Sequence, residues 1–303
     1  MTAVGPEPWS VPPVLAPEDA QALAARYDLQ PVGRRPPLGR YLADVWEHRH
    51  LVWAMARGEF ASEHRDNYLG FVWAVLNPLL LGVAYFLIFG LLLGTSRGVP
   101  DFITFLTAGL FTFSALSAAM TSGSRSLLSR MSLIRAVQFP RVVVPVVVVL
   151  SAFVSQLPAF GVLLLIALWD QRGQVTWAWL LYPAALLIVL GMSVGIAMLT
   201  ARMVHAVRDL ANLMPLVVRL LRYVSGVFFS LELQIERIGA EGVLALVLQY
   251  QPAAVALDVV RETIWNARGL DPLTWAVASG WALLFLVLGF VVFWRGEGGY
   301  GRA

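Results

Sequence analysis

Leu69–Gly94, LGFVWAVLNPLLLGVAYFLIFGLLLG, runs for 26 residues without one charged side chain. A helix needs roughly 20 apolar residues to cross the hydrocarbon layer. Backbone polar groups cannot be left bare in lipid, so this stretch reads as a membrane-spanning helix. Five further stretches of similar character follow: Phe102–Ser122, Val142–Leu168, Trp177–Ala201, Ala211–Leu231 and Leu273–Trp294. The expected fold class is all-α, a polytopic membrane protein with six transmembrane helices. A composition of 58% hydrophobic and 14% charged residues agrees with that reading.

Cysteine is absent, which excludes disulfides, thiolate metal sites and cysteine nucleophiles. Lysine is absent too, and all 22 basic residues are arginine. A phosphate-binding loop of the Walker type needs its lysine, and so does a Schiff-base enzyme; the chain can be neither. His48, His50, His64 and His205 form no metal-ligand spacing. No paired carboxylates or Ser/His/Asp pattern stands out, so the chain reads as one that moves something without covalent chemistry.

The arginines are distributed by topology rather than for nucleic acid. With a cytoplasmic N-terminus, 15 fall inside, 5 outside (Arg97, Arg172, Arg237, Arg261 and Arg268) and 2 within a span. Positive charge resists translocation, which puts both termini in the cytoplasm.

Residues 1–37 form a cytoplasmic arm, expected to be largely disordered, and no cleaved signal peptide is expected. Over 38–64, apolar residues from Leu38 to Phe60 recur at three- and four-residue steps, with Trp46 and Trp53 among them. That pattern fits an amphipathic helix lying on the membrane surface, or else docked on a partner protein. Residues 65–303 make the membrane domain. Within it, Glu232–Asn266 is too broken and polar to cross, and is expected to fold back into the outer leaflet as two short re-entrant helices. The loop Ser124–Arg141, SRSLLSRMSLIRAVQFPR, sets four arginines among apolar residues. Topology alone explains the arginines; a protein-docking surface also explains the apolar residues.

Three segments carry a resemblance: Arg65–Pro78 (RDNYLGFVWAVLNP), Leu133–Arg141 (LIRAVQFPR) and Val207–Pro215 (VRDLANLMP). In this order they are similar to the membrane permeases of ABC exporters for cell-surface polysaccharides, the O-antigen, teichoic acid and galactan group. The resemblance implies six spans, an interface helix, re-entrant helices before the last span, and a homodimer with two copies of an ABC ATPase subunit. It also implies that ATP and Mg are bound by that partner, with no cofactor on this chain, and that the bacterial inner membrane is the location. Leu133, Ile134, Arg135, Val137, Phe139 and Arg141 would then couple to the ATPase, and the first and fifth spans would line the channel.

Flat aromatic rings bind sugar faces without demanding one sequence, which suits a polymer. Trp73, Tyr85 and Phe89 in the first span and Tyr223, Phe228 and Phe229 in the fifth are the candidates, helix packing or an interfacial belt being the alternative. Arg219 and Arg222, three residues apart inside the fifth span, are candidates to hold the pyrophosphate of a polyprenyl-linked polymer. Snorkelling to headgroups is their alternative role. The reading is the transmembrane subunit of an exporter of lipid-linked polysaccharide, not itself an enzyme. A same-fold exporter of a small lipid or drug, or a polyprenyl-phosphate glycosyltransferase, are the competitors.

Overall fold

The computed structural model describes residues 37–65, 71–94, 96, 98–137, 139–239 and 241–300, with positions 22, 23 and 26; the rest of the arm expected to be largely disordered lies outside them. Its described elements are helical. The expected interface helix is two helices, α1 (Leu38–Glu47) and α2 (Arg49–Arg65), broken at His48. The first span, α3, runs as an α-helix over Phe71–Tyr85 and continues π-helically through Phe86–Leu92. The second, α4, is a rod over Phe102–Ser129 with a π-helical turn at Ala119–Gly123. After α5 (Met131–Ala136) come α6 (Val143–Asp170), a 3-10 turn Trp177–Leu181, and α7 (Tyr182–Ala206).

From here the structure departs from the expected fifth span. The helix α8 covers Leu210–Val224 and stops seven residues before the expected end at Leu231. Gly226 takes a left-handed φ of +72°, and a Cβ there would lie 2.6 Å from the Leu231 side chain. Glycine tolerates that backbone, and the chain leaves the helix. Three helices follow: α9 (Leu231–Arg237), α10 (Val243–Tyr250) and α11 (Pro252–Ile264). The last span is α12 (Pro272–Arg295), closed by a 3-10 turn Glu297–Gly299.

Hydrogen bonds fix which helix ends lie together. At one end Asp170 accepts from the backbone and hydroxyl of Thr104 at 2.9 and 2.8 Å, and Gln171 donates to the carbonyl of Ile264 at 2.6 Å. At the other end Arg125 donates to the carbonyl of Ala211 at 3.0 Å, Arg130 pairs with Glu59, and Tyr41 meets Glu297. This second end also carries Arg135, Arg141, Arg202 and Arg208, and is the arginine-rich end. Among the described residues, five helices are long and apolar enough to cross a bilayer: those over Val75–Leu92, Phe102–Ser129, Val143–Asp170, Trp177–Ala206 and Pro272–Arg295.

The sixth crossing is decided by depth. The pair α10 and α11, bent by 60°, would reach span length if counted together. However, Tyr250 accepts from Trp281, about 14 Å along α12 at 1.5 Å per residue. Gln251 likewise donates to the Val224 carbonyl at 2.9 Å. The bend therefore lies at mid-depth, while Ile264 returns to the far end. This is a re-entrant hairpin, and the sixth crossing is made by α8, about 22 Å long and ending at the depth of the bend, together with the non-helical segment 225–230, which carries the chain on to the far end where Glu232 pairs with Arg268.

One large apolar core joins α4, α6, α7, α11 and α12, with Phe105, Leu163, Met192, Leu257 and Ala278 in it. A second at the arginine-rich end packs Tyr41, Leu127, Ile134, Met198, Phe293 and Tyr300. At Gly195, α7 and α12 meet backbone to backbone, and a Cβ would sit 2.3 Å from the Phe285 carbonyl carbon.

Candidate functional site

Helices α3 and α8 are the least covered of the crossings. Only 11% of the Val75–Leu92 segment is buried, and α8 buries just Ala211, Met214 and Val218, one stripe at helical spacing. Between the two, the aromatic residues singled out in the sequence come together. Phe89 stacks on Phe228 at 4.2 Å and 5°, with Tyr85 at 5.1 Å and Tyr223 at 5.6 Å from the same Phe228 ring. Phe228 is 1% exposed. It therefore offers no face to a sugar, and the sequence expectation for this residue is corrected to packing: it is the hub that ties α3 to the turn after α8. Tyr223 and Trp73 keep open surface at 53% and 38%; Tyr85, Phe89 and Phe229 are half-buried.

The two arginines of α8 part company. Arg219 is exposed, whereas the Arg222 guanidinium sits 5.3 Å over the Phe113 ring of α4. Among the described residues neither makes an ion pair. Phe113, together with Met120, Met192, Leu221, Pro252 and Phe285, lines a half-open apolar pocket of about 270 Å³.

At the arginine-rich end the docking-loop expectation divides. Ile134 is 6% exposed and Leu127 1%, both in the core with Tyr41. The apolar residues of this loop mostly anchor it to its own protein, because amphipathic α5 has a core face to fill. Ile134 is thus corrected from contact residue to anchor. What faces outward is Arg135 and Val137, with Leu133, Phe139 and Arg141 half-covered. Arg125 ties the segment to the first turn of α8, and Arg130 ties it to α2.

Sequence reading missed the polar centre of the re-entrant hairpin. Arg261, counted among outside charges, is 2% exposed inside the bundle. It donates to the carbonyls of Gly226 at 2.9 Å and of Val227 and Phe105 at 3.3 Å, lies 3.7 Å over the Phe105 ring, and pairs with Asp258 at 3.5 Å. Arg268 then bridges Glu232, Asp258 and Glu262 at 3.0, 3.2 and 3.4 Å. Burial pulls the Arg268 pKa down, but those carboxylates outweigh it and hold the group above its ordinary value. Asp258 and Glu262 do cluster, contrary to the sequence reading, but around arginines that occupy them. The signal was the acid–base alternation at three- and four-residue steps in Asp258–Glu262, which marks a paired face as readily as a solvated one.

The sequence model of the ABC-2 type transporter family matches residues 50–264, from α2 through α11. The chain belongs to this family. Among relatives of this ABC-2 transporter is the O-antigen export system permease protein RfbA of Myxococcus xanthus, 28% identical over 233 residues, covering 76% of this chain and 85% of that one. Two proteins of the same name from Klebsiella pneumoniae are 23% identical over 222 and 219 residues, covering 71% of this chain and 80% of theirs. The matched region holds the Ser124–Arg141 segment, α3 and α8, and the re-entrant hairpin. It stops short of α12 and the terminal turn.

Proposed function

We propose that this ABC-2 transporter is the membrane subunit of an exporter of polysaccharide carried on polyprenyl pyrophosphate, working across the bacterial cytoplasmic membrane. The single observation that carries the reading is the family match, joined to relatives that are O-antigen export permeases by name. Several features support it. The arginine-rich end fits the cytoplasmic side, since positive charge resists translocation. With that end inside, both chain ends of the bundle and the docking segment face the same compartment.

The bare faces of α3 and α8 suit a second copy of the chain, with Tyr85, Phe89 and Tyr223 at the rim of a shared channel. Trp73 and Phe229 are further stacking candidates along it. Arg219 and Arg222 lie about 14 and 18 Å along α8 from Leu210. They are placed to meet a pyrophosphate entering from the cytoplasm, Arg219 openly and Arg222 after leaving Phe113. ATP and Mg bind a separate ABC ATPase subunit, present in two copies, and this chain has no catalytic role. Arg135, Val137, Phe139 and Arg141 form its contact, with Leu133 and Ile134 holding them in place. The Arg125–Ala211 hydrogen bond gives a direct route from that contact to α8.

Depletion of the protein should make a lipid-linked glycan accumulate in the cytoplasmic leaflet, identified by mass spectrometry of extracted lipids. Purification in mild detergent should bring an ATPase subunit with it. Sugar transfer by this chain alone, with no such subunit, overturns the proposal.

A further inference from the structure

The end of the chain reaches back to the docking segment. Glu297, in the turn after α12, is 8% exposed. One carboxylate oxygen accepts the Tyr41 hydroxyl at 2.8 Å, and the other accepts the backbone N–H of Arg141 at 3.1 Å. The Arg141 guanidinium donates to the Glu297 carbonyl, and the Tyr41 oxygen accepts the N–H of Val142 at 3.3 Å.

Arg141 and Val142 directly precede α6, which has no side-chain cap of its own at Val142. Donors at the start of a helix have no partner within it, and the dipole there favours a carboxylate. Glu297 and Tyr41 thus cap a 28-residue helix from 156 and 101 residues away.

The turn is itself held firmly. Tyr300 is fully buried, donates to the Phe293 carbonyl at 3.0 Å, and lies beneath the Arg202 guanidinium at 5.5 Å. Since α7 and α12 meet backbone to backbone at Gly195, the terminal turn belongs to a rigid two-helix body. A buried polar group left without its partner is costly, so this junction favours being wholly made.

We propose that Glu297 is a positioning residue of the transport cycle. It locks the exit of the docking segment to the last transmembrane helix, so that displacement of the segment by the ATPase moves α1, α6 and α12 together. The proposal rests on the reading of Leu133–Arg141 as the ATPase contact. A contact that only added stability to the tail could be apolar; this one joins three elements at the point where load would enter.

The test uses the complex with its ATPase subunit in vesicles, and the lipid-linked glycan extracted from depleted cells as cargo. Wild type is compared with Glu297→Gln and with Tyr41→Phe, which keeps the ring packed 5.7 Å from Phe290. Both variants should retain the ATPase subunit and its hydrolysis rate, while glycan moved per ATP falls between about twofold and thirtyfold. The chain has no cysteine, so a Tyr41→Cys/Glu297→Cys pair can be bridged by a short bis-methanethiosulfonate reagent, which forms a mixed disulfide with each thiol and releases methanesulfinate, and bridging should recover transport per ATP. Unchanged transport per ATP in both assembled variants overturns the latch alone. Failure of both variants to accumulate makes the junction a folding contact and also overturns it. A wild-type chain that binds no ATPase subunit sinks the motor reading, and the latch with it.

Discussion

Replacing Gly195 by alanine should push α7 and α12 apart. The added methyl carbon would lie 2.3 Å from the Phe285 carbonyl carbon, 2.5 Å from its oxygen and 2.6 Å from the Leu286 nitrogen. All three are backbone atoms, which cannot rotate away as a side chain can. Ordinary carbon contacts begin near 3.5 Å, so the helices must separate by about 1 Å, a gap that forfeits roughly a quarter to a half of each dispersion contact along the seam. Gly289 faces the same seam, its own Cβ position 2.5 Å from the Gly195 oxygen, so the separation cannot be taken up on that side. Overpacking of this kind costs about 1–3 kcal/mol, and the absence of any soft neighbour puts Gly195 near the upper figure. For a chain of 303 residues that is a fall in Tm of roughly 5 °C. Thermal unfolding in detergent, followed by tryptophan fluorescence, measures it. Gly161→Ala and Gly280→Ala, whose new methyls meet nothing within 4 Å, serve as controls. A Gly195→Ala protein melting within about 1 °C of wild type would refute the claim that this seam is closed backbone to backbone.

Arg261→Met should leave the carbonyls of Gly226, Val227 and Phe105 without the guanidinium that donates to them, and Asp258 with Arg268 in place of two arginines. Breaking a buried pair in this way costs about 3–5 kcal/mol, read as loss of a monodisperse peak after mild heating. Val137→Asp, on the outward face of the docking segment, should reduce co-purification of the ATPase subunit without changing Tm. Ile134→Ala should instead lower stability by about 2–5 kcal/mol, because its side chain is core; the opposite pairing of effects would reverse the two assignments. Glu297 also predicts a pH dependence. Burial raises its pKa above the ordinary glutamate value of 4.5, so the folded state holds this proton more tightly than the unfolded chain. That contribution is complete below 4.5 and is lost as pH rises through the folded value. Thermal stability of the wild type should therefore decline more with rising pH across that window than that of Glu297→Gln, and parallel curves would exclude it.

Much of the site was legible as residue identities but not as roles. Tyr85, Phe89, Tyr223 and Phe228 were recognisable as aromatic residues of two spans, and the structure gathers them around one ring. Which of them is the buried hub depends on the turn at Gly226, and no helical periodicity contains that turn. Ile134 and Val137 are equally apolar in sequence. Only the position of Tyr41, more than ninety residues earlier, decides that one is core and the other surface. Arg261 was misplaced because a charge at a three-residue step from an acid looks solvated until the carbonyls that receive it are seen.

Sequence by itself determined the solvent of this protein, because apolar runs of span length leave a backbone no other way to satisfy its hydrogen bonds in lipid. It also determined which end is rich in arginine and which chemistries are impossible without lysine or cysteine. Tertiary structure alone decided that α8 and the non-helical segment 225–230 after it make the sixth crossing while α10 and α11 turn back at mid-depth. Length and hydropathy are equivalent for a bent pair and a straight span, and only contacts with Val224, Trp281 and Gln171 fix how deep each end lies. The Glu297 junction belongs to the same class: a cap assembled from three distant segments has no local signature, since its geometry exists only once the helices have packed.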